Sequence, residues 1–494
     1  MPLPEILVFQ TVGDLRAHEL VGGSTLNALG PTVSGFTESA PTNAQIFTNR
    51  LIEYRGLLCT QTEATGLNAD WVMSWDRVAG SWSIMGGTSN THTCAGGLYV
   101  VNTGSTLRLC SLHRNPSNGL TCVYSDNGTG TSVFNSVASG HTAWVGPGIV
   151  FNNKIYLPTL DSGVKIWEVD PIALVTTLIT PPFLGGTVSE ASVDFCVYDD
   201  RLFCLTPGPV NFGATGADWE LYEFVGGGFS LNTQITTDGR LGMFSGASQG
   251  RRGQPSLFID PATGDMAAVT NGYEAGGASG NSGSTAYRLT PSGSSFTPSE
   301  VTSTVIPAAF RPGVRGSSND YAEDRWLCYT DTDPDPSAAE VYLFFAAGPA
   351  PGTSYTVYQW EGFGAEMTNV AAGPSVNFYM PHQKFGGGDR INRGGGNQIV
   401  IESSQAVTGG FEISYRVYGT LLGQSITLWY SLDQEIPSSQ ATILSQTGGS
   451  GITGGNTVTG VDGDDGATLY TLVWNLASDG VTNGDACHIV LRPA

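Results

Sequence analysis

Charged residues are scarce in this chain, and lysine is nearly absent. Among its 494 residues, 21 Lys and Arg stand against 43 Asp and Glu, so the formal net charge at pH 7 is −22. The only lysines are Lys154, Lys165 and Lys384. So acidic a chain is repelled by phosphate backbones and by anionic membrane surfaces. Nor does any stretch reach the roughly 18 apolar residues of a transmembrane helix. We therefore expect no nucleic-acid partner and no membrane insertion.

Metal-binding and disulfide-forming cysteine patterns are also missing. None of the eight cysteines belongs to a CxxC pair or has the spacing of zinc ligands. Several lie inside apolar strand patterns, which is typical of small buried side chains. A disulfide such as Cys110 with Cys122 stays open, because spacing alone does not assign one. The cysteines are Cys59, Cys94, Cys110, Cys122, Cys196, Cys204, Cys328 and Cys487.

Recognisable catalytic motifs are lacking as well. The six histidines show no HxH or HExxH spacing, and there is no nucleophile elbow or phosphate-binding loop. Neighbouring acids at 199–200 and 323–324 could serve glycoside hydrolysis, but both pairs fall at predicted hairpin turns. We therefore predict no catalytic residue and no cofactor other than calcium, and keep a carbohydrate-active enzyme as an alternative.

The N-terminus has neither the basic region nor the apolar run of a secretion signal. The composition nevertheless resembles that of extracellular proteins, with 67 glycines and only 13% charged residues. Virion proteins combine these properties, since they are made in the host cytoplasm and reach the outside by assembly and lysis. We therefore expect localisation in a virion.

A strand couplet is what the chain does contain in abundance. An apolar strand opened by a short turn precedes an aromatic strand, as in 151–156 with 164–168, 197–203 with 219–224, and 324–329 with 340–344. Such a unit cannot bury its own apolar face, so repetition predicts a circular array. First strands are expected near Leu57, Leu98, Ile155, Leu202, Met266 and Trp326. This spacing predicts a six- or seven-bladed β-propeller, the seventh blade pairing 358–360 with the N-terminal arm.

The pattern divides the chain into four parts. Residues 1–30 form an N-terminal arm with a helical turn at 14–20, and residues 31–375 form the propeller. Residues 376–396 are a Gly-rich connector, and the alternating strands of 397–494 predict a β-sandwich domain. Gly- and Ser-rich insertions at 207–216 and 276–284 are where binding specificity is expected.

Both predicted domains resemble known families. The propeller repeats resemble kelch-like propellers, although the Gly-Gly doublet of that family is absent. The C-terminal part resembles a small sandwich module of surface and phage proteins through Tyr430, Asp433, Trp474 and the turn at 479–480. The resemblance implies that Trp474 packs the core and that Asp479 and Gly480 form a tight turn. Together these features resemble a tailed-bacteriophage tail fibre, tail tip or spike protein.

Alternating acids at Asp331, Asp333 and Asp335 form the candidate metal site. Carboxylates at this spacing suit calcium, which takes oxygen ligands. However, Pro336 stands where a calcium loop has glycine, and Tyr342 where it has its last carboxylate. The alternative is a solvated acidic turn.

Three tryptophans crowded into one blade, Trp71, Trp75 and Trp82, form the candidate binding surface. Aromatic faces stack on sugar rings, so these residues predict a carbohydrate-binding surface. The alternative is that they belong to the core of the blade.

The sequence thus predicts a structural virion protein of a tailed bacteriophage that serves host-surface attachment or scaffolding. Its expected partners are other virion proteins and a host-surface glycan or receptor, and we expect an oligomer within the particle. The alternatives are a polysaccharide depolymerase or glycoside hydrolase, and a secreted carbohydrate-binding adhesin.

Overall fold

The structure is a computed structural model, and almost all of what it describes is β-strand. No helix of the described part is both long and apolar enough to cross a bilayer. The structure describes residues 5–11, 13–21, 25–36, 51–54, 57–64, 69–76, 81–89, 94–103, 107–114, 119–126, 132–139, 143–144, 146, 148–160, 164–182, 193–198, 201–207, 219–235, 240–241, 255–260, 263–274, 283–311, 325–330, 341–346, 356–372, 398–418, 422–432, 439–463, 467–482 and 487–493.

The N-terminal residues form a separate three-stranded antiparallel sheet. Its strands are β1 (Glu5–Thr11), β2 (Gly13–Val21) and β3 (Thr25–Phe36). The helical turn predicted at 14–20 is wrong, since these residues pair along β2 with both neighbours. Leu15 and Ala17 alternate with Arg16 and His18, as in a strand, while Ala17, Leu20 and Val21 also have helical spacing.

Six consecutive antiparallel sheets follow, each of four or five strands, and they are the blades of the propeller. Blade 1 contains β4 (Leu51–Tyr54), β5 (Leu57–Ala64), β6 (Ala69–Asp76) and β7 (Ser81–Ser89). Blade 2 contains β8 (Cys94–Asn102), β9 (Leu107–Arg114), β10 (Gly119–Ser125) and β11 (Ser132–Ser139). Blade 3 contains β12 (Ala143–Trp144), β13 (Ile149–Phe151), β14 (Lys154–Leu160), β15 (Val164–Asp170) and β16 (Val175–Ile179).

Blades 4 to 6 continue the same meander. Blade 4 contains β17 (Asp194–Tyr198), β18 (Arg201–Pro207), β19 (Trp219–Val225) and β20 (Gly228–Ile235). Blade 5 contains β21 (Arg240–Leu241), β22 (Ser256–Ile259), β23 (Met266–Glu274), β24 (Gly283–Ser292) and β25 (Ser295–Glu300). Blade 6 contains β26 (Arg325–Thr330), β27 (Val341–Ala346), β28 (Thr356–Gln359) and β29 (Thr368–Ala372). A short helix, α1 (Thr302–Val305), and a 3₁₀ turn at Ala308–Phe310 follow blade 5.

The all-β propeller prediction is confirmed, but the predicted seventh pairing is wrong. Strand β28 pairs with β27 and β29 inside blade 6, not with the N-terminal residues. Instead, β3 lies against β29 and also against β5 and β7. The N-terminal sheet therefore lies between the last blade and the first.

The predicted couplet marks different strands in different blades. In blades 3 and 4 it corresponds to β14 with β15 and to β18 with β19, which follow the blade's inner strand. In blade 6 it corresponds to β26 with β27, the first two strands of that sheet. The expected first strands therefore mixed two positions of the repeat, because every blade strand carries similar apolar residues.

Tight turns lie at one end of blades 3 and 4. Phe151 pairs with Lys154 across Asn152 and Asn153, whose φ angles are 50° and 57°. Positive φ at both central residues is the geometry of a two-residue hairpin, and asparagine tolerates it. Two-residue connections also join Tyr198 to Arg201 in blade 4. We call this the turn end of the propeller.

Apolar cores lie between neighbouring blades rather than within them. In β8, Leu98 and Val100 pack against blade 1, whereas Tyr99 and Val101 pack against blade 3. A strand alternates its side chains between two faces, so both faces of each inner blade are buried. Three further clusters join blades 3 to 4, 4 to 5 and 5 to 6.

Five of the cysteines are buried thiols, which confirms the prediction that they act as small apolar side chains: Cys59, Cys110, Cys122, Cys196 and Cys204. The disulfide considered between Cys110 and Cys122 does not form. Cys110 lies opposite Tyr124, and Cys122 lies opposite Leu112, so the two cysteines are diagonal neighbours. Diagonal Cβ atoms are farther apart than a disulfide bridges.

Two packed antiparallel sheets form the C-terminal sandwich. One contains β30 (Gln398–Val407), β31 (Gly410–Tyr418), β34 (Ile443–Thr447) and β37 (Tyr470–Trp474). The other contains β32 (Gln424–Leu432), β33 (Ser439–Gln440), β35 (Gly451–Thr453), β36 (Thr457–Val461) and β38 (Cys487–Pro493). Residues of both sheets share a single apolar cluster.

Trp474 and the turn after it organise this core. The Trp474 ring is 1% exposed and lies 4.7 Å from the Tyr430 ring. Its Nε1 donates to Asp479 Oδ2 at 2.6 Å, and Thr442 donates to the same carboxylate through its backbone N and its Oγ1. Gly480 has φ of 70°, which favours glycine. The structural roles implied by the resemblance are confirmed.

Candidate functional site

The three predicted sugar-binding tryptophans lie in the outer half of blade 1. Trp71 and Trp75 belong to β6, and Trp75 is the direct cross-strand partner of Trp82 on β7. Trp82 is partly buried, while Ser81 and Ile84 beside it are exposed. The side chains of Trp71 and Trp75 lie outside what the structure describes. The register therefore brings two of the three together, and sugar binding by them stays a prediction.

The predicted calcium ligands Asp331, Asp333 and Asp335 lie outside the described residues. Among the residues that the structure does describe, no three His, Cys, Asp or Glu side chains group as metal ligands. In the sandwich, Asp462, which directly follows β36, accepts a hydrogen bond from the Gly423 backbone N at 2.6 Å. That carboxylate therefore orders a turn of the sandwich.

Ion pairs recur at one register position of blades 3 to 5. Lys154 bonds Glu168 at 2.6 Å, and Arg201 bonds Glu223 at 2.6 Å. In blade 5 the charges are exchanged, and Arg288 bonds Asp265 at 2.5 Å. In each blade, the first residue of the pair lies two positions before the cross-strand neighbour of the second. These neighbours are Tyr156 for Glu168, Phe203 for Glu223 and Ala267 for Arg288. The three blades therefore share the position of the ion pair, but not which of the two strands carries the positive charge.

Two of these pairs also reach the next blade. Arg201 donates to the backbone carbonyl of Ser294 in blade 5 at 2.6 Å. Arg288 stacks over the Phe363 ring of blade 6 at 5.0 Å. The Arg201 guanidinium lowers the pKa of Glu223 more than partial burial raises it. These charges fasten neighbouring blades, so we assign them a structural role.

The Gly- and Ser-rich insertions occupy the same position in two neighbouring blades. Residues 208–218 connect β18 to β19 in blade 4, and residues 275–282 connect β23 to β24 in blade 5. Both connections join strand ends opposite to the turn end. We call this side of the propeller the loop end. The strands of blades 4 and 5 thus bring together the bases of both predicted specificity loops.

A polar group with three buried members lies at the base of the first insertion, on the face of blade 4 that packs against blade 3. We call Thr206, Glu220, Tyr222 and Gln234 the Glu220 cluster. Thr206 and Gln234 are the cross-strand partners of Glu220 on either side. Tyr222 Oη donates to Glu220 Oε2 at 2.6 Å, and Gln234 Nε2 donates to Glu220 Oε1 at 3.2 Å.

The charge of Glu220 has no basic partner in this cluster. Glu220 is 4% exposed, and the described side chains that donate hydrogen bonds to it are neutral. Burial and the adjacent carboxylate raise the pKa of Tyr222, so its hydroxyl stays protonated and donates. Thr206 is fully buried, and its Oγ1 has no hydrogen-bond partner. A buried carboxylate beside an unsatisfied hydroxyl is costly in a folded protein.

Sequence reasoning missed the Glu220 cluster. The sequence pattern makes residues 219–224 the aromatic strand of a couplet, in which Glu220 occupies an alternate position with no assigned role. In an exposed strand, such a position faces water. Here the opposite faces of blade 4 pack against blades 3 and 5, so even the alternate positions are buried. A glutamate within a strand buried on both faces is the signal that could have identified it.

No family model matches this chain, and no curated protein matches it. Solved structures do match, at low identity. A putative 6-phosphogluconolactonase from Bacteroides uniformis has 11% identity and a TM-score of 0.44, with 74% of this chain and 95% of that chain covered. A mutant of Aleuria aurantia lectin in complex with alpha-methyl-L-fucoside has 11% identity and a TM-score of 0.37, with 70% and 100% covered.

The β-propeller domain of the Trilobed protease from Pyrococcus furiosus also matches, with 10% identity and a TM-score of 0.36, covering 76% of this chain and 92% of that chain. Lectins and proteins named as enzymes thus both occur among the similar structures. At these values, none of them assigns a ligand or a reaction to this chain.

Proposed function

We propose that this chain is an attachment protein, in which a rigid propeller presents binding loops from its loop end to a host-surface glycan or receptor. The setting we propose is the tail fibre, tail tip or spike of a tailed bacteriophage, where the chain would contact other virion proteins as part of an oligomer. Scaffolding for those proteins is the related role.

The placement of the insertions carries this proposal. Residues 208–218 and 275–282 leave equivalent strand ends of adjacent blades, whereas blade 4 has two-residue turns at the opposite end, at 199–200 and 226–227. Binding residues are found disproportionately on loops held by a rigid scaffold. Two neighbouring long loops on adjacent blades can therefore form one recognition surface.

The base of these loops is held firmly. Asp194 is fully buried and accepts a hydrogen bond from the Leu257 backbone N of blade 5 at 2.7 Å. At the turn end, Asp260 of blade 5 accepts from Trp360 Nε1 of blade 6 at 2.8 Å. Such bonds between blades fix their relative positions, which keeps the loop bases in one arrangement.

Loop replacement tests the attachment role. Replacing 208–216 or 276–282 with a short Gly-Ser turn should lower binding of the full chain to host cells or to a glycan array by about tenfold or more, the loss expected for central interface contacts. The matched control replaces Gly226 and Gly227 at the turn end by Asn-Gly, which keeps a two-residue hairpin. Loop variants that bind like the control would overturn the proposal.

Mass spectrometry of purified particles tests the virion setting separately. Detection of this chain in virions supports it. Its absence there, together with host binding by the purified protein, would favour the secreted adhesin.

We also propose that the chain binds glycan without cleaving it. The described side chains that donate to Glu220, Tyr222 and Gln234, both belong to its own blade, which supports a structural or binding role for this carboxylate. The acids at 199–200 and 323–324 lie outside the described residues. Release of reducing ends from host polysaccharide by the purified protein would overturn this proposal in favour of a hydrolase.

A further inference from the structure

We propose that the Glu220 cluster binds the ammonium group of a small primary amine between blades 3 and 4. The proposal rests on the side chains of blade 4 and stands whether or not the loops bind a host glycan.

Charge is the first argument. Glu220 is 4% exposed, and of the side chains that the structure describes only Tyr222 and Gln234 donate to it, both without charge. A carboxylate taken out of water is normally paired with a cation, since unpaired burial of a charge is expensive. The net charge of −22 further favours a cationic ligand over an anionic one.

The unsatisfied hydroxyl of Thr206 is the second and independent argument. Its Oγ1 is fully buried and makes no hydrogen bond. Thr206 is the direct cross-strand partner of Glu220, so their side chains project on the same face of the sheet as neighbours. A hydroxyl directed beside a buried carboxylate can accept a hydrogen bond from a group that also pairs with that carboxylate.

The set of acceptors favours an ammonium over a metal ion. An ammonium has three N–H donors and needs three acceptors, which the Glu220 carboxylate, the Thr206 hydroxyl and the Gln234 amide oxygen would supply. Calcium takes about six to eight oxygen ligands and usually several carboxylates, and this cluster contains one carboxylate.

The position of the cluster limits the size of the ligand. Gln234 lies on the outer strand β20 and is exposed, whereas Glu220 behind it is buried. A ligand that approaches from this exposed strand therefore needs a small head group. Ethanolamine and glucosamine both carry a primary ammonium on a small polar molecule, and they represent a free amine and an amino sugar.

Thermal shift and saturation-transfer NMR on the full chain test the proposal, with ethanolamine and glucosamine as probes. Ethylene glycol and N-acetylglucosamine are the neutral controls, and sodium chloride matches the ionic strength. We expect a saturable stabilisation by at least one amine and none by the neutral analogues. If only glucosamine acts, the source is an amino sugar; if ethanolamine acts as well, the ammonium alone suffices.

Three variants locate the effect. Glu220→Gln removes the charge and should weaken amine binding by about tenfold or more, as loss of a charge-assisted hydrogen bond does. Thr206→Val removes only the unsatisfied hydroxyl, so it should weaken binding severalfold without lowering the melting temperature of the unliganded chain. The matched control, Glu361→Gln, removes one exposed carboxylate of blade 6 and should bind like wild type.

Equal responses to amines and neutral analogues would overturn the proposal, as would the absence of any saturable response. Unchanged amine affinity in Glu220→Gln would do the same. If Glu220→Gln does not fold, Thr206→Val decides: wild-type affinity in that variant overturns the site.

Discussion

The propeller and the sandwich bury their strands differently. In the propeller, strands such as β17 and β22 are buried at nearly every position, because each blade lies between two others. In the sandwich, β37 alternates strictly between buried and partly exposed residues, because only two sheets face each other. The strands of the propeller are thus buried on both faces, whereas those of the sandwich are buried on one face.

This difference teaches where polar residues can be placed. In the sandwich, polar side chains occupy the outer face, where Ser414 and Thr471 share a hydrogen bond. In the propeller, polar groups must enter the interfaces between blades, and they do so as ion pairs, as carboxylates such as Asp194 bonded to backbone N–H, or as the Glu220 cluster. Charge inside the propeller therefore marks a specific contact.

Removing a core tryptophan from each domain tests whether the two domains unfold separately. Trp219→Ala should destabilise the propeller, and Trp474→Ala the sandwich, by about 3–5 kcal/mol each, the usual cost of deleting a buried aromatic ring. Trp219 and Trp474 are each 1% exposed, so the pair is well matched. Calorimetry should show one transition lowered in each variant. A shift of both transitions by either substitution would mean that the domains unfold as one unit.

The carboxylate of Asp479 tests how far the sandwich depends on a single polar hub. Asp479→Ala leaves the Thr442 backbone N, Thr442 Oγ1 and Trp474 Nε1 without their acceptor, which should cost about 1–3 kcal/mol. Asp479→Asn is the control, because it retains one carbonyl oxygen and should cost less. Urea denaturation measures both. Equal losses would show that the charge, and not the hydrogen bonding, matters.

The ion pairs of the propeller should contribute less to the free energy of unfolding than the buried tryptophans and Asp479, because their side chains remain partly exposed to water. Arg201→Gln should cost about 1–2 kcal/mol, mainly through lost hydrogen bonds to Glu223 and to the Ser294 carbonyl. A double-mutant cycle with Glu223→Gln isolates the pair itself. A coupling energy near zero would show that the ion pair itself contributes nothing and that Arg201 acts through the Ser294 carbonyl of blade 5.

The same pair predicts a pH dependence. The folded-state pKa of Glu223 is depressed, so its contribution is fully present above the ordinary glutamate pKa of about 4.3 and is lost as the pH falls through the folded value. Wild type should therefore lose more stability than Arg201→Gln between about pH 7 and about pH 3. Parallel losses in the two proteins would contradict this assignment.

The smallest effect is expected at the β15–β16 hairpin, where a leucine has a positive φ angle. Leu174 has φ of 56°, a left-handed conformation that costs a leucine about 1 kcal/mol, and its side chain is exposed. Leu174→Asn should therefore stabilise the propeller by up to about 1 kcal/mol, since asparagine tolerates this conformation. Asn152→Ala, at another left-handed position, should do the opposite. Destabilisation by Leu174→Asn would show that the exposed leucine makes contacts that outweigh the strain.

Much of the architecture could be predicted from local patterns. The all-β class, the repeat and the packing role of Trp474 follow from strand periodicity, turn residues and a recognisable motif, which act over a few residues. The position of the couplet within the blade could not be predicted, because all strands of a doubly buried blade look alike. The strand at 14–20 was predicted to contain a helical turn for a related reason, since its apolar spacing suits both structures.

The amino-acid sequence by itself determined that this chain forms strands, where tight turns join them, and that apolar residues repeat around a ring and then alternate in a sandwich. Only the tertiary structure decided which residues share an interface. It brought Thr206 and Gln234 to either side of Glu220, paired Trp75 with Trp82, and placed the bases of both insertions at one end. The reason is physical: strand formation depends on neighbouring residues, whereas the face that a side chain occupies depends on register and on the blades that pack beside it.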